Sequence, residues 1–308
     1  MKTLLLALWL AAVGLCSGAA CASGPTGLAS GKLPNWDMLE FERKSMWGTA
    51  NSRIQWREKS SADTASLWRS PGEGKYLSPP GNHVLELTVN ARAGKSNQAR
   101  LQLLLNPDTL EIFQRDRLTI GRKDRRNKFY RYRDSGVTRV RSDPEAGETD
   151  LPAQKWSKVS LAEVDFPELP AGSVVTAPYG VLLAVSTGKL APGEKVSVFV
   201  HTDFNLYRVE LQRGSDTELL SSYVLLDQKG QSVPYAETRV VESIHLRATP
   251  TEQAPDKPDF DLLGLGGEIT ILLDRESGLP LRVLGTAPRV GKTHLDLKSA
   301  RLVEEPRV

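Results

Sequence analysis

The densest chemistry in the sequence is cationic. Between Arg115 and Arg141 lie Arg117, Arg122, Lys123, Arg125, Arg126, Lys128, Arg131, Arg133 and Arg139, opposed only by Asp116, Asp124 and Asp134. Such a run attracts polyanions, whether lipid phosphate, lipopolysaccharide or an acidic glycan. Arginine suits phosphate because its planar fork donates two hydrogen bonds at once. The candidate binding residues are Arg122, Lys123, Arg125, Arg126, Lys128, Arg131 and Arg133. Tyr130 and Tyr132 interleave with the last two. Alternate side chains on a strand point to opposite faces, so Phe129, Arg131 and Arg133 share one face and both tyrosines the other. The Arg122–Lys128 cluster reads as a hairpin tip. A solvated hairpin whose charges guard a sheet edge against aggregation accounts for the same pattern.

Patterns that would specify a reaction are absent from the sequence. There is no Gly-x-Ser-x-Gly elbow, no His-Glu-x-x-His pair and no phosphate-binding glycine loop; Gly264, Gly266 and Gly267 lack both the spacing and a following helix. His201-Thr202-Asp203 brings an imidazole near a carboxylate. Its place at a strand end and turn makes Asp203 a turn residue and His201 a neighbour on the sheet surface. Carboxylates such as Glu237 and Asp274 are too common in this composition to argue for glycosidase work. No catalytic residue, cofactor or metal site is expected.

The elements that position these residues begin with a leader. Lys2, the apolar run Leu4–Leu15 and the small residues Ser17–Ala20 have the anatomy of a secretory signal. The run is about a dozen residues long, whereas a spanning helix needs about 20. Ala20-Cys21-Ala22 supplies the small residues of a cleavage site after residue 22. The alternative is acylation of Cys21 after Ala19-Ala20, with Gly18 standing where lipoproteins usually carry Leu. The expected location is therefore periplasmic or secreted, or the outer membrane through a lipidated Cys21. Both cysteines, Cys16 and Cys21, fall in this segment, which excludes a disulfide framework or thiolate metal site in the mature chain. The remaining length is enough to bury a large core without staples. Net charge is +3, so the basic run is a local asymmetry. Export and the lack of a nucleic-acid motif argue against a nucleic-acid partner.

Residues 23–34 read as a flexible tether. A stretch with Trp36, Trp47, Trp56 and Trp68 follows, spaced as aromatics that pack a core edge. From His83 the period is two: Leu85, Leu87, Val89 and Ala91 on one face, Glu86, Thr88 and Asn90 on the other. Lys195–Leu211 reads as a hairpin turning at Asp203-Phe204-Asn205. Further strands are predicted at 99–105, 110–114, 128–133, 137–141, 181–186, 218–226, 237–246, 268–273, 281–284 and 294–303. Turn signals punctuate them at Asn106-Pro107-Asp108, Asp134-Ser135-Gly136, Arg213–Asp216, Asp227–Gly230 and Glu276–Gly278. Short helices are predicted only at Ser61–Trp68 and Ser160–Val164. The pattern predicts an all-β, mostly antiparallel fold: a curved sheet, open barrel or sandwich-like domain over residues 35–308, with a Pro-rich surface loop near 249–267.

The C-terminal half also carries a resemblance. Val198-Phe199-Val200 leads through Asp203 to Leu206-Tyr207-Arg208-Val209; Glu237-Thr238-Arg239-Val240, Ile271-Leu272-Leu273-Asp274 and Leu279-Pro280-Leu281-Arg282-Val283 follow; Gly291 and Leu295-Asp296-Leu297 close it. This order resembles the bacterial exported proteins of the domain of unknown function 3108 family, over about residues 129–303 and more weakly the Trp-rich part. The resemblance implies an exported, barrel-like β domain and brings no catalytic residues. The leading functional expectation is a non-enzymatic envelope protein that binds an amphiphile inside a curved sheet or a polyanionic surface such as anionic lipid or acidic glycan. The alternatives are an assembly factor contacting another envelope protein and an enzyme acting on cell-wall sugar or lipid.

Overall fold

A computed structural model describes residues 32–303, apart from 46–47, 95, 123, 189, 253–257 and 289. The expected leader with Cys21, most of the tether, Trp47 and Lys123 lie outside the described residues. The chain forms β1 (Trp36–Ser45), β2 (Gly48–Ser60), β3 (His83–Ala93), β4 (Asn97–Leu105), β5 (Ile112–Ile120), β6 (Arg125–Arg133), β7 (Gly136–Asp143) and β8 (Lys158–Asp165). Then come β9 (Val175–Thr176), the helix α1 (Pro178–Thr187), β10 (Lys195–His201), β11 (Leu206–Leu226), β12 (Ser232–Pro250), β13 (Gly266–Asp274), β14 (Pro280–Ala287) and β15 (Gly291–Leu302). The fold is all-β and mostly antiparallel, as the alternating pattern predicts.

Among the described residues 15 strands join one sheet, in the order β8 to β1, then β15 to β9. It has two limbs that meet at β15. In the first, β1–β8 form an antiparallel meander. In the second, the far end of β11 returns to pair in parallel with β15 at Val224↔Ser299 through Leu226↔Arg301. Strands β11–β15 therefore close on themselves, while the first limb continues from the other side of β15 through β1. Closure needs β11 to bend, and the bend is at Arg213–Asp216. There the sequence predicts a turn, but the structure shows a bulge within a 21-residue strand. An extra residue in one strand kinks it and increases its twist, which lets one strand serve β10 at its start and β15 at its end.

One apolar cluster unites the limbs, with Ile54, Leu87, Leu103 and Tyr132 from the first and Val209, Ile271, Val283 and Leu297 from the second. Helix α1 lies within it, and Gly180–Val185 are all buried. Thr176 just before α1 donates to the Leu110 carbonyl at 2.6 Å. At its far end, a Cβ added to Gly278 would meet the Ser186 carbonyl oxygen at 3.0 Å. The helix thus spans from a turn of the first limb to a turn of the second. The sequence reading had a strand over 181–186. A short apolar run cannot by itself distinguish strand from buried helix; Pro178 at the start and Gly188 at the end are the signals that favour helix.

The two predicted helices are not helical. Ser160–Val164 lies in β8, where pairing with β7 overrides weak local preference. Ser61–Trp68 holds only the single 3₁₀ turn Ala65–Leu67. Trp36 and Trp56 are buried, and the Trp56 indole donates to the Trp36 carbonyl, so these aromatics pack β1 against β2.

Candidate functional site

The β5–β6 hairpin turns between Ile120 and Arg125, so Arg122 of the predicted tip lies beyond the paired strands while Arg125, Arg126 and Lys128 are already in β6. Its cations are spread over three environments. Arg122 is exposed on the tip. Arg125 donates to the Thr149 carbonyl and sits 3.8 Å from Asp150; Arg126 lies 3.1 Å from Asp124. Arg133 pairs with Asp165 at 3.1 Å and Glu163 at 3.4 Å. Lys128 and Arg131 are internal, 5% and 7% exposed. The face assignment follows the predicted alternation. Arg131 points to one side, donating to the carbonyls of Phe113 and Leu77 and lying 4.8 Å from the Trp68 ring. Lys128 and both tyrosines point to the other.

That other face meets the tip of the β10–β11 hairpin, and the contact centres on Asp203. Its carboxylate accepts from Lys128 Nζ at 2.6 Å, Tyr130 Oη at 3.1 Å, Arg117 at 3.3 Å and Arg115 at 3.4 Å. Arg115 also donates to the Thr202 carbonyl at 2.5 Å and lies 3.9 Å from the Tyr130 ring centroid. Burial alone would raise the Asp203 carboxyl, but the charges of Arg115, Arg117 and Lys128 overcome it and hold it far below the usual carboxylate range. Burial lowers Lys128, with Asp203 opposing; the pair is ionised. Asp259 braces the turn from behind. It accepts from Thr202 Oγ1 and Asn205 Nδ2 at 2.7 Å, Tyr207 Oη at 2.9 Å and the Phe204 amide at 3.0 Å.

His201 is corrected by this geometry. It is 1% exposed, not on a sheet surface, and is packed against Tyr130, Tyr132 and Phe166 with ring centroids 5.5–5.9 Å away. Its Nδ1 pairs with Tyr132 Oη at 2.9 Å. Burial and then the Arg115 charge keep it neutral, well below the ordinary histidine value. Burial pushes the Tyr132 hydroxyl up to about 12. The carboxylate of Asp203 is directed at cations and Tyr130, and the His201 ring at Tyr132. What this centre does chemically is hold charge: it clamps the tip of the second limb onto the face of the first. Among the described residues no group of three His, Cys, Asp or Glu side chains is placed to hold a metal ion.

A second polar region lies on the opposite face of β1–β5. The apolar side chains Ile54, Leu87, Val89 and Leu103 point into the core. Their polar neighbours therefore point outward and line a groove of about 480 Å³. Register sets the pattern. Arg53 pairs with Asn90, which pairs with Arg100; one row on, Asn51 pairs with Arg92, which pairs with Gln98. Guanidinium and amide alternate along both rows and between them. Arg53 bonds Glu40 at 3.0 Å. Among the described residues Arg92 and Arg100 have no acidic partner. Leu118 and Ile120 of β5 form the far wall, and Arg122 follows Ile120 by two residues. The sequence reading missed this groove. The signal was present as polar residues in period two along three strands, but register alone brings them into rows.

No family model matches the chain, nor does any curated protein or solved structure. The resemblance drawn from segments such as Leu279–Val283 therefore rests on those residues alone.

Proposed function

We propose that this chain is an exported, non-enzymatic envelope protein that binds a polyanion through the groove on β1–β5. The observation that carries the reading is the pair Arg92 and Arg100. They are exposed cations without acidic partners among the described residues, set beside Arg53 in a concave surface. Converging, uncompensated charge in a cleft focuses the field on an anion. An amphiphile held inside the sheet is less well supported, because α1 and core side chains occupy the space between the limbs. The export setting comes from the leader-like residues 1–22.

A matrix of immobilised dextran sulfate tests this. The variant Arg92→Glu/Arg100→Glu is expected to elute at clearly lower salt than wild type. A charge-matched control, Lys229→Glu/Arg247→Glu, changes two sites outside the groove and is expected to elute close to wild type. Equal loss in both variants would reduce the effect to net charge and overturn the reading.

A second reading, an assembly role, is supported by one feature. The outermost strand β8 exposes Val159 and Leu161, each 58% accessible, and an unpaired apolar edge invites a strand from another protein.

A further inference from the structure

Resting on the anion-binding reading above, we infer that the groove's ligand is an acidic glycan, a hydroxyl-rich chain with spaced carboxylates, rather than a lipid surface or a nucleic acid. The first support is the alternation itself. In the row Arg53–Asn90–Arg100 the two cations stand two strands apart, with an amide between them; Arg100 has no acidic partner among the described residues, and Arg53 also pairs with Glu40 at the groove's edge. Adjacent strands are about 4.8 Å apart, so the guanidinium-bearing positions repeat at roughly 10 Å across the sheet. In the next row Arg92 stands between the amides Asn51 and Gln98. Guanidinium forks take carboxylates in two-point contacts. Primary amides both donate and accept, as a sugar hydroxyl requires. A ligand that presents charge, then hydroxyl, then charge matches both rows, whereas a surface of phosphates alone leaves the amide acceptors facing anions.

The second support is what the groove lacks. The large apolar residues in its lining are Leu118 and Ile120, both half-buried in the far wall, and the exposed ones, among them Phe204, Leu161, Leu220 and Val240, lie elsewhere. A surface that binds lipid gains from apolar side chains that insert below the headgroups. No aromatic residue lines the groove either, and sequence-tolerant binding of single-stranded nucleic acid depends on bases stacking on aromatic rings. The third support is stiffness. The groove is built on paired strands whose other face is the packed core, so its polar groups are held in place before a ligand arrives, which limits the ordering cost of binding.

The test uses the mature chain and four probes: an oligogalacturonate, inorganic polyphosphate, vesicles of phosphatidylglycerol and phosphatidylethanolamine, and oligo-dT. Calorimetry is expected to show saturable binding of oligogalacturonate, lost in Arg92→Glu/Arg100→Glu. The variants Asn90→Leu and Gln98→Leu change no charge. Each is expected to weaken oligogalacturonate about fivefold, the worth of one hydrogen bond, and to leave polyphosphate unchanged. Binding of vesicles, polyphosphate or oligo-dT without oligogalacturonate would overturn the glycan assignment and leave the polyanion reading standing. Binding of none of the four would overturn both. Retained oligogalacturonate binding in Arg92→Glu/Arg100→Glu would overturn the assignment of the ligand to this groove. Circular dichroism of each variant confirms that a loss is not one of folding.

Discussion

The arginines around Asp203 and those in the β1–β5 groove are chemically the same group in opposite circumstances. Arg115 and Lys128 are almost wholly buried, and their charges are spent on one carboxylate, carbonyl oxygens and aromatic faces. Arg92 and Arg100 are exposed and have no acidic partner among the described residues. The contrast teaches that a run of basic residues is not by itself a binding surface. Where the face is covered, cations become structural cross-links between limbs. Where it is open, the same side chains are available to a ligand.

The largest test of this comparison removes the shared anion. Asp203→Ala leaves Arg115 and Lys128 buried without their counter-charge. It is expected to cost about 3–5 kcal/mol in urea unfolding, whereas Arg92→Ala/Arg100→Ala should stay within about 0.5 kcal/mol per site. Similar values for the two would erase the distinction.

Protonation separates the regions next. His201 is held neutral, its folded-state proton affinity depressed by burial and by Arg115. Below the ordinary histidine value of about 6.5, the unfolded chain takes up a proton that the folded chain refuses. Stability from this group is therefore full above that pH and falls as pH drops below it, by up to about 1.4 kcal/mol per pH unit. Asp203 acts in a lower window, contributing fully above the ordinary carboxylate value of about 3.9 and losing its contribution as pH falls further. Urea titrations between neutral and mildly acid pH should show the histidine slope in wild type and a flatter profile in His201→Gln. An unchanged slope in that variant would remove His201 as its source.

A finer probe is Tyr132→Phe, which deletes the hydroxyl at 2.9 Å from His201 Nδ1. The expected loss is about 1 kcal/mol in the same unfolding assay, with anion binding unchanged because the groove is on the other face. A small effect on stability is also expected of Glu40→Gln. The substitution weakens the half-buried carboxylate's contacts to Arg53, Lys298 and Ser299 and should cost about 1 kcal/mol. It should also strengthen oligogalacturonate binding in calorimetry, since a third cation is released in the groove. Weaker binding in this variant would mean that Arg53 is not a ligand contact.

Much of the strand pattern was legible because period two is a local property. Leu85, Leu87 and Val89 had to share a face, and turn residues such as Asp227–Gly230 had to break strands. The β10–β11 hairpin turns at Asp203–Asn205 where expected. The misreadings have physical reasons. Val181–Ser186 is apolar on every side, so its period is hidden, and only burial on all faces explains the helix. Arg213–Asp216 has turn composition, but the demand that β11 reach both β10 and β15 makes it a bulge. Arg131 and Lys128 are long amphipathic side chains whose burial no neighbouring residue announces.

Fold class, strand faces and the concentration of positive charge near residues 115–141 follow from residues adjacent in the chain. Which cations are buried and which are open follows only from how distant strands meet. Asp203 meets Lys128 across 75 positions of sequence, and the groove forms only when β2, β3 and β4 take one register. Both are products of long-range pairing, and electrostatic consequence follows from burial and partner distance, neither of which is encoded in composition.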